Sequence, residues 1–471
     1  MLWSCLHFPT LALQVFLRAV AAPGPLIVVS ADKRPQVIAC ETQAARLGIR
    51  SGMALAAALA LVPHTAVQVR DESAEAQALS GIAAWGGQFA SAISLAPRGC
   101  VLLEIGGSLK LFGGAERLLR SIGAGVRSLG YSTTMAVAPT PGAALLLARA
   151  GIETPVEQCG DLRIRLSPLP LTLLDYSGAA LDTLSDIGIA TIGDCLELPR
   201  DGLARRFGPG LLDEIDRALG NIPDPRAPFI VPETFAGRLE LPSPVWEAQA
   251  VLFAARRLTS ELTGALAGRG LGAMTVELEL IHEDFPPTPI SIRLSAPSRD
   301  ADHLLMLLRE RLAQTQLPDR VEAIRLSAAE TAVLPARDRA LFAGDNSVEP
   351  FALIERLCAR LGDAAVCALH SYPDHRPELA WRKALPGAAQ RAAAAPPRPL
   401  WLLPEPEPVE QSMPAQPLVL MDGPERIESG WWDDNDVRRD YFVARGAGGA
   451  MLWVFRDTLA EGQWYLHGIF A

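Results

Sequence analysis

The sequence predicts a multidomain protein of the α/β and α+β classes that ends in a small β module. Its 471 residues are enough for about three to five domains. Short apolar strands alternate with helices over residues 1–165, which is typical of α/β layers. The next segment is helical and the one after it mixed, and from residue 384 the chain becomes rich in proline and then in tryptophan.

Five segments follow from these changes of pattern. They are an α/β segment (1–165), a helical segment (166–228), an α+β segment (231–330), a connector (331–394) and a β module (395–471). In the first, residues 25–29 (PLIVV) are predicted as a buried strand. Residues 41–47 are predicted as a helix that ends at Gly48, and Ser51 as the N-cap of the next helix.

The α+β segment begins extended and then alternates helix and strand. The pattern predicts a helix over 247–267, a strand over 273–282, a helix over 301–314 and a last strand over 320–327. With the extended start and a strand between the last two elements, the predicted order is β-α-β-β-α-β.

The end of the chain combines a proline-rich stretch with many aromatic residues. Residues 395–399 (APPRP) and 404–408 (PEPEP) favour extended polyproline structure over a packed core. Five of the nine tryptophans lie in the last 71 residues, and residues 451–456 (MLWVFR) indicate a strand. We therefore expect a linker followed by a small β module.

Composition argues against several classes of protein. The net charge of −10 is unusual for a dedicated DNA-binding protein. The seven cysteines form no CxxC pair, which disfavours zinc ribbons and a disulfide framework and favours a reducing compartment. No run of about 18 apolar residues lacks charge or proline, so we expect no membrane span. We also expect no signal peptide, and the chain has no Walker-type phosphate loop.

Three N-terminal segments resemble, in order and spacing, the palm and fingers of Y-family translesion DNA polymerases. They are residues 2–9 (LWSCLHFP), 46–53 (RLGIRSGM) and 101–114 (VLLEIGGSLKLFGG). We interpret the third as a strand and hairpin punctuated by its glycine pairs. The helical segment resembles the thumb of that family, with a helix-hairpin-helix turn, and the β-α-β-β-α-β segment resembles the little finger.

The resemblance also identifies what is missing. The family places an Asp early in the first strand and an Asp–Glu pair just before the third segment; here Ser4 takes the first position and Gly99 and Cys100 the pair. Nucleotidyl transfer needs two divalent ions, and Mg²⁺ takes hard oxygen ligands, usually carboxylates. Ser4 offers a neutral oxygen, Gly99 no side chain and Cys100 a thiol too soft for Mg²⁺. We therefore expect no catalytic residue, no metal site and no cofactor.

Two alternatives remain open. Glu104 lies where the family usually has a non-catalytic acid, and it either caps the local backbone or, in an active polymerase with rearranged ligands, binds metal with Asp71 or Glu72. A module that only binds DNA is the other alternative. The little-finger segment 231–330 speaks against it, because it has ten arginines against fourteen acidic residues.

The resemblance to the thumb implies DNA contacts. In the family, the turn between two short helices offers backbone N–H groups to phosphates, as helix N-termini can. The corresponding turn is residues 184–194 (LSDIGIATIGD), and a pair of arginines follows it. The predicted contacts are Gly188, Ile189, Thr191, Gly193, Arg205 and Arg206. A turn that serves only helix packing is the competing interpretation.

The C-terminal block carries a more specific pattern. It contains GPERIESGWW at 423–432, RDY at 439–441 and HGIFA at 467–471. With the altered palm, this pattern resembles the ImuB family of bacterial mutagenesis cassettes. That resemblance implies a non-catalytic adaptor of the SOS response, cytoplasmic and nucleoid-associated. The implied partners are the sliding clamp, a RecA-like protein, an error-prone C-family polymerase and weakly bound damaged primer-template DNA.

Two sets of residues are implied for these partners. The clamp-binding peptide is DRALF at 338–342, where Asp338 replaces the usual Gln and Leu341 and Phe342 would fill an apolar pocket. The competing interpretation is a Leu-Phe pair packed on a neighbouring domain. Protein partners are expected to bind the tryptophans of the β module, namely Trp431, Trp432, Trp453 and Trp464. If Trp431 and Trp432 lie on a strand, they point to opposite faces; alternatively, both fill a small core.

Overall fold

The structure is a computed structural model, and it describes residues 1–18, 24–334, 350–384, 386, 397–412, 418–446, 448–459 and 462–470. The chain divides into two compact units, Met1–Val348 and Glu349–Ala471. Within the described ranges, no helix has both the length and the apolar character needed to cross a membrane.

The first unit begins with the predicted α/β layers. Its strands are β1 (Trp3–His7), β2 (Leu26–Val29), β3 (Val37–Cys40), β4 (Ala66–Val69), β5 (Ile93–Ala96), β6 (Cys100–Glu104) and β7 (Thr134–Ala138). Its helices are α1 (Leu11–Leu17), α2 (Thr42–Arg46), α3 (Leu55–Leu61), α4 (Glu72–Gly86), α5 (Leu109–Phe112), α6 (Ala115–Ser128) and α7 (Pro141–Arg149). The palm sheet has the order β5-β6-β1-β7, and the fingers sheet the order β3-β2-β4.

Both faces of the palm sheet are covered. Side chains of a strand alternate between the two faces, so β1 contributes to two cores. On one face Leu6 and Phe8 pack in a core with Trp85 of α4. On the other face Cys5 packs in a core with Leu147 of α7. The strands are therefore almost continuously apolar, as sheets buried on both faces usually are.

Two local predictions in this segment are wrong. Ser51 does not cap a helix; its hydroxyl donates to the carbonyl of Ile38 at 2.9 Å, and the helix begins four residues later. The predicted hairpin after β6 is instead a 3-10 turn, Gly106–Ser108, followed by α5. The Glu104 carboxylate accepts the N–H groups that open this turn, so the chain leaves the extended conformation there.

The thumb and little finger complete the first unit. The thumb helices are α8 (Leu162–Leu166), α9 (Gly178–Asp186), α10 (Ile192–Leu196), α11 (Arg200–Phe207) and α12 (Gly210–Leu219). The little finger consists of β8 (Ala236–Val245), α13 (Ala248–Gly268), β9 (Leu271–Ile281), β10 (Thr288–Ser298), α14 (Ala301–Gln314) and β11 (Val321–Val333). The predicted β-α-β-β-α-β order is confirmed, and the sheet order is β10-β9-β11-β8.

The little finger packs against the helical side of the palm. Helix α13 approaches α4 closely, since a Cβ added to Gly264 would lie 2.1 Å from the Trp85 ring. At the same contact Arg18 forms a salt bridge of 2.7 Å with Glu261, and both side chains are almost fully buried. Arg18 also donates to the Tyr131 hydroxyl at 2.6 Å. This buried polar network fixes the little finger on the palm in one register.

The second unit is a five-stranded sheet with a hairpin and two helices. Its elements are α15 (Pro350–Leu361), β12 (Ala368–Ser371), β13 (Trp381–Ala384), β14 (Trp401–Pro408), α16 (Val409–Ser412), β15 (Val419–Ser429), β16 (Val437–Arg445), β17 (Met451–Asp457) and β18 (Trp464–Ile469). The sheet order is β14-β18-β17-β16-β15, and β12 pairs with β13. The predicted β module is confirmed.

The unit also corrects two sequence-based expectations. The segment 331–394, expected to be a connector, contains a helix and a hairpin. The proline run 404–408, expected to be a polyproline linker, is part of the edge strand β14. Proline is accepted at a sheet edge because a strand there pairs on one side only, and the missing N–H can face solvent.

Candidate functional site

The Gly99–Cys100 pair, which the resemblance assigns to the altered polymerase centre, lies at the start of β6, beside the end of β1. These strands are antiparallel, with His7 opposite Cys100 and Ser4 opposite Leu103. Residues directly opposite share a face of the sheet, whereas residues three apart on one strand lie on opposite faces. His7 is therefore the residue that the structure brings to the Gly99–Cys100 pair, and the expected grouping of Ser4 with that pair is wrong.

Ser4 is buried on the other face of the palm sheet. It is fully inaccessible to solvent, and its hydroxyl has no hydrogen-bond partner within the described ranges. Burial of an unpaired hydroxyl typically costs about 1–3 kcal/mol. Ser4 is thus a polar residue in the core, without access to the place where a metal ion or a nucleotide would bind.

Gly99 ends the tight turn between β5 and β6. Its φ is +68°, a left-handed conformation that costs an L-residue about 1–2 kcal/mol. A Cβ at this position would lie 3.1 Å from the carbonyl oxygen of Phe8. The backbone at position 99 therefore disfavours any residue that could carry a carboxylate.

The groups that meet at this centre are sulfur and nitrogen donors. Burial raises the pKa of the Cys5 thiol well above its ordinary value, while the hydrogen bond to Cys5, assisted by Arg149, lowers the pKa of Cys100. Burial lowers the pKa of His7, so its imidazole is neutral at pH 7. Such donors suit soft or borderline metals, and Mg²⁺ requires oxygen. The residues present do not fit the two Mg²⁺ ions of a polymerase.

Two arginines close this end of the palm. Arg149 donates to the carbonyl oxygens of Leu173 and Pro97, both at 2.8 Å, and to the carboxylate of Asp175 at 2.9 Å. Arg98 reaches the same carboxylate at 3.3 Å. Both guanidinium groups are thus used to tie the palm to the start of the thumb, and neither is free to bind a triphosphate.

The three acids of the alternative metal site, Glu104, Asp71 and Glu72, bind groups close to them in the sequence or the sheet. Glu104 accepts hydrogen bonds from the N–H groups of Leu2, at 3.3 Å, and Gly106, at 3.1 Å. Asp71 caps the N-terminus of α4, and Glu72 pairs with the arginine that precedes it. Over the described part of the chain, no three His, Cys, Asp or Glu residues converge on one point that could hold a metal. The interpretation of Glu104 as a backbone cap is confirmed.

The helix-hairpin-helix turn is present, but its backbone N–H groups already donate hydrogen bonds within the protein. The N–H groups of the four predicted residues donate inside the protein: Gly188 to Ser185, Ile189 to Leu184, Thr191 to Asp194 and Gly193 to Ser167. The Asp194 carboxylate also occupies the N-terminus of α10, where it forms a capping box. An internal anion therefore stands where a phosphate would bind. The side chains of Arg205 and Arg206 are exposed and form no salt bridge in the described chain.

The four tryptophans predicted to bind partners fall into two groups. Trp453 is 2% exposed and stacks on Tyr441 with ring centroids 4.1 Å apart, so its assignment as a partner-binding residue is wrong. Trp464 is half-buried against the sheet. Trp431 and Trp432 are 76% and 57% exposed. Of the four predicted tryptophans, Trp431 and Trp432 therefore lie outside the core of the second unit.

Trp431 and Trp432 lie in the turn between β15 and β16, which we call the tryptophan turn (residues 430–436). Since they are not on a strand, the expected division between two faces does not arise; the rings meet edge to face at 5.3 Å. The turn begins at Gly430, whose φ is +88°. A Cβ there would lie 2.1 Å from the carbonyl oxygen of Asn435, so only glycine fits.

Arg376 holds the tryptophan turn in place. It is 2% exposed and donates to Asp374 at 3.0 and 2.8 Å, to Asp433 at 2.9 and 2.7 Å, and to the carbonyl oxygen of Asn435 at 3.2 Å. These five bonds use all five N–H groups of the guanidinium. They also lower the pKa of both carboxyls. No local pattern indicates this network, because Asp433 follows Arg376 by 57 residues.

A buried histidine makes the second unit sensitive to acid. His467 is fully buried, and its Nδ1 lies 2.7 Å from the Tyr441 hydroxyl. Burial lowers its pKa to about 4 from the ordinary 6.5. Between these two values the unfolded state binds more protons than the folded state, so acid favours unfolding.

We expect the unfolding free energy of this unit to fall by about 3 kcal/mol as the pH drops from 7 to 4. Urea unfolding at several pH values, followed by tryptophan fluorescence, measures this slope. A His467→Gln variant removes the titrating group and should flatten the slope. Equal slopes in the two proteins would contradict the assignment.

Comparison with known proteins supports this description. The profile of the IMS (impB/mucB/samB) family matches residues 17–149. Two relatives, Protein ImuB of Caulobacter vibrioides strains NA1000/CB15N and ATCC 19089, are each 27% identical over 465 residues, covering 90% of this chain and 100% of the relative.

Two solved polymerase structures have a similar backbone fold. The Y-family DNA polymerase chimera Dbh-Dpo4(243-245)-Dbh is 18% identical with a TM-score of 0.41, covering 70% of this chain and 98% of its own. DinB from Sulfolobus solfataricus is 16% identical with a TM-score of 0.39, covering 71% and 100%. This chain is thus similar to Protein ImuB over 90% of its length and to the impB/mucB/samB family over residues 17–149.

Proposed function

We propose that this chain is a non-catalytic adaptor in damage-induced translesion DNA synthesis. The observation that carries the proposal is the centre of the palm. The resemblance assigns the family's metal-binding acids to the positions of Ser4, Gly99 and Cys100; His7 rather than Ser4 lies beside the Gly99–Cys100 pair, and none of these four residues supplies a carboxylate. The neighbouring arginines are used for structure. A chain with a polymerase-like fold that lacks the metal-binding carboxylates is better suited to binding other proteins than to catalysis.

The partners proposed for this platform are those that the resemblance implies. They are the sliding clamp, a RecA-like protein and an error-prone C-family polymerase, which would meet at damaged DNA in the cytoplasm, at the nucleoid. DNA contact would be weak, since the little finger is acidic and the amides of the thumb turn are already used. Arg205 and Arg206, exposed on the last turn of α11, are the proposed DNA contacts in the thumb.

The tryptophan turn is the proposed site for a protein partner. Exposed tryptophans are enriched at the centres of protein interfaces, where they act as anchors. Here Trp431 and Trp432 are presented together on a turn that Arg376 fixes from below. A surface that is ordered before binding loses less conformational entropy on association. This combination of exposure and order supports a docking role better than a role in the core.

The primary test is primer extension. With purified protein, Mg²⁺ or Mn²⁺ and all four dNTPs, we expect no nucleotide incorporation, because the ligand set cannot hold the two ions. An active Y-family polymerase under the same conditions serves as the positive control. Incorporation that disappears in a Glu104→Ala variant would replace the adaptor proposal with an active polymerase using rearranged ligands.

A second test concerns the clamp-binding peptide, whose residues Asp338, Leu341 and Phe342 lie outside the described residues. Replacing both Leu341 and Phe342 by alanine is expected to weaken clamp binding more than tenfold, since apolar anchors of this kind contribute about 2 kcal/mol or more each. Asp338→Gln should strengthen binding, because it restores the amide that the family uses.

The matched control for this test is Val333→Ala, at the end of β11, where the side chain is 75% exposed. It should change neither clamp affinity nor the melting temperature. A fall of several degrees in the melting temperature of the double variant would identify Leu341 and Phe342 as core residues and would remove them from the proposal.

A further inference from the structure

A cavity at the junction of palm and little finger is lined by three arginines. Its volume is about 360 Å³, and it lies between the end of α6, the middle of α13 and the start of α14. Arg127 comes from α6, and Arg256 and Arg257 from α13. We call it the arginine pocket. It is on the helical side of the little finger, away from the altered centre of the palm.

The positive charge of the arginine pocket is not neutralised by the protein. In the described ranges, Arg127, Arg256 and Arg257 form no salt bridge and donate no hydrogen bond to the protein. Asp302 also lines the cavity, but its carboxylate is exposed to solvent. Other arginines of this unit are paired, as Arg120 is with Glu116 on the same helix α6.

Among the three arginines of the pocket, Arg257 gives the clearest indication of a bound anion. Its Nη1 is inaccessible to solvent and has no hydrogen-bond partner in the described ranges. Its guanidinium packs against the turn at Gly130, where a Cβ would lie 2.8 Å from it, and over the ring of Phe253 at 4.7 Å. Burial, and then the charge of Arg18, lower its pKa. A partly buried charge without a counter-ion is costly, and the negative charge of an anion in the cavity would offset that cost.

We propose that the arginine pocket binds a phosphate group of a nucleotide or of a nucleic-acid strand. Guanidinium groups bind phosphate oxygens with two parallel hydrogen bonds, and three such groups converge here. The cavity volume is about twelve times the roughly 30 Å³ share of a liquid water molecule, which leaves room for a phosphate and its first waters.

Phe253 favours a nucleic-acid phosphate over a carboxylate of an acidic peptide. Its ring is 49% exposed beside the pocket and lies under Arg257. An exposed aromatic face next to arginines is the arrangement on which single-stranded bases stack while their phosphates are bound. The proposal does not depend on the adaptor role, because it concerns a different part of the first unit.

The test is binding of sodium pyrophosphate, ATP and a fluorescein-labelled twelve-nucleotide oligo-dT to the full chain, by calorimetry and by fluorescence anisotropy. The variant carries Arg127→Ala and Arg256→Ala, both on exposed side chains, so that folding is unaffected. The matched control is Arg120→Ala, which removes one charge from the same helix outside the pocket.

We expect the double variant to lose at least tenfold in affinity, and the control less than twofold. A loss for all three probes identifies a free phosphate group as sufficient, whereas a loss for oligo-dT alone identifies a strand as the ligand. In the latter case the slope of log affinity against log salt should fall by about 0.7 for each lost contact. Unchanged binding of every probe in the double variant, or equal competition by poly-glutamate, would overturn the proposal.

Discussion

An Arg376→Lys variant is expected to lose partner binding at the tryptophan turn, although the substituted residue lies beneath the surface and not on it. Lysine keeps the charge but offers three donors on a single atom, so it cannot bridge Asp374, Asp433 and the carbonyl oxygen of Asn435 at once. The turn then loses its fixed conformation, and Trp431 is no longer presented in one orientation. Loss of charged hydrogen bonds of this kind should also lower the unfolding free energy of the second unit by about 2 kcal/mol.

The measurement is a pull-down and titration of the full chain with the RecA-like protein and with the C-family polymerase, beside urea unfolding of the same samples. A double Trp431→Ser, Trp432→Ser variant separates the two roles, because it should abolish binding and leave stability unchanged. Arg382→Lys, on exposed strand β13, is the matched control and should change neither quantity. Full binding by both the Arg376→Lys and the double tryptophan variants would move the docking surface elsewhere on the chain.

Much of the fold could be predicted because it depends on local patterns. The order β-α-β-β-α-β follows from apolar periodicity within each element, and the elements are long enough for that periodicity to be clear. The prediction of a hairpin after β6 was wrong because of a local interaction between a side chain and the backbone. The Glu104 carboxylate binds the N–H groups of the next residues, and this interaction competes with strand pairing in a way that glycine spacing does not reveal.

The functional residues were harder to predict because they depend on register and on distant contacts. Ser4 and His7 are three positions apart on one strand, and only the pairing with β6 shows that His7 is the residue beside Cys100. Arg376 and Asp433 are 57 residues apart in sequence and meet only in the folded second unit. The arginine pocket likewise joins α6 with α13, and nothing in either helix alone predicts it.

Restoring acids at the palm centre is expected to destabilise the protein without creating a polymerase. In a variant with His7→Asp, Gly99→Asp and Cys100→Glu, position 99 must accept a side chain at φ +68°, at a cost of about 1–2 kcal/mol. Position 100 is fully buried, and an ionised carboxylate there costs several kcal/mol, because the nearby Arg149 is already bonded to Asp175.

The single variants should therefore rank in a definite order. His7→Asp, on a half-buried side chain, should cost only about 1 kcal/mol of unfolding free energy, whereas Cys100→Glu should account for most of the loss in the triple variant. Ser4→Asp is the diagnostic comparison. If Ser4 were at the reaction centre it would accept the acid, but in the core position observed here it should be as damaging as Cys100→Glu. Denaturant unfolding and primer extension of the same variants measure both effects. A stable triple variant that incorporates nucleotides would mean that only the acids separate this chain from a polymerase, and that the closure by Arg98 and Arg149 is no barrier to catalysis.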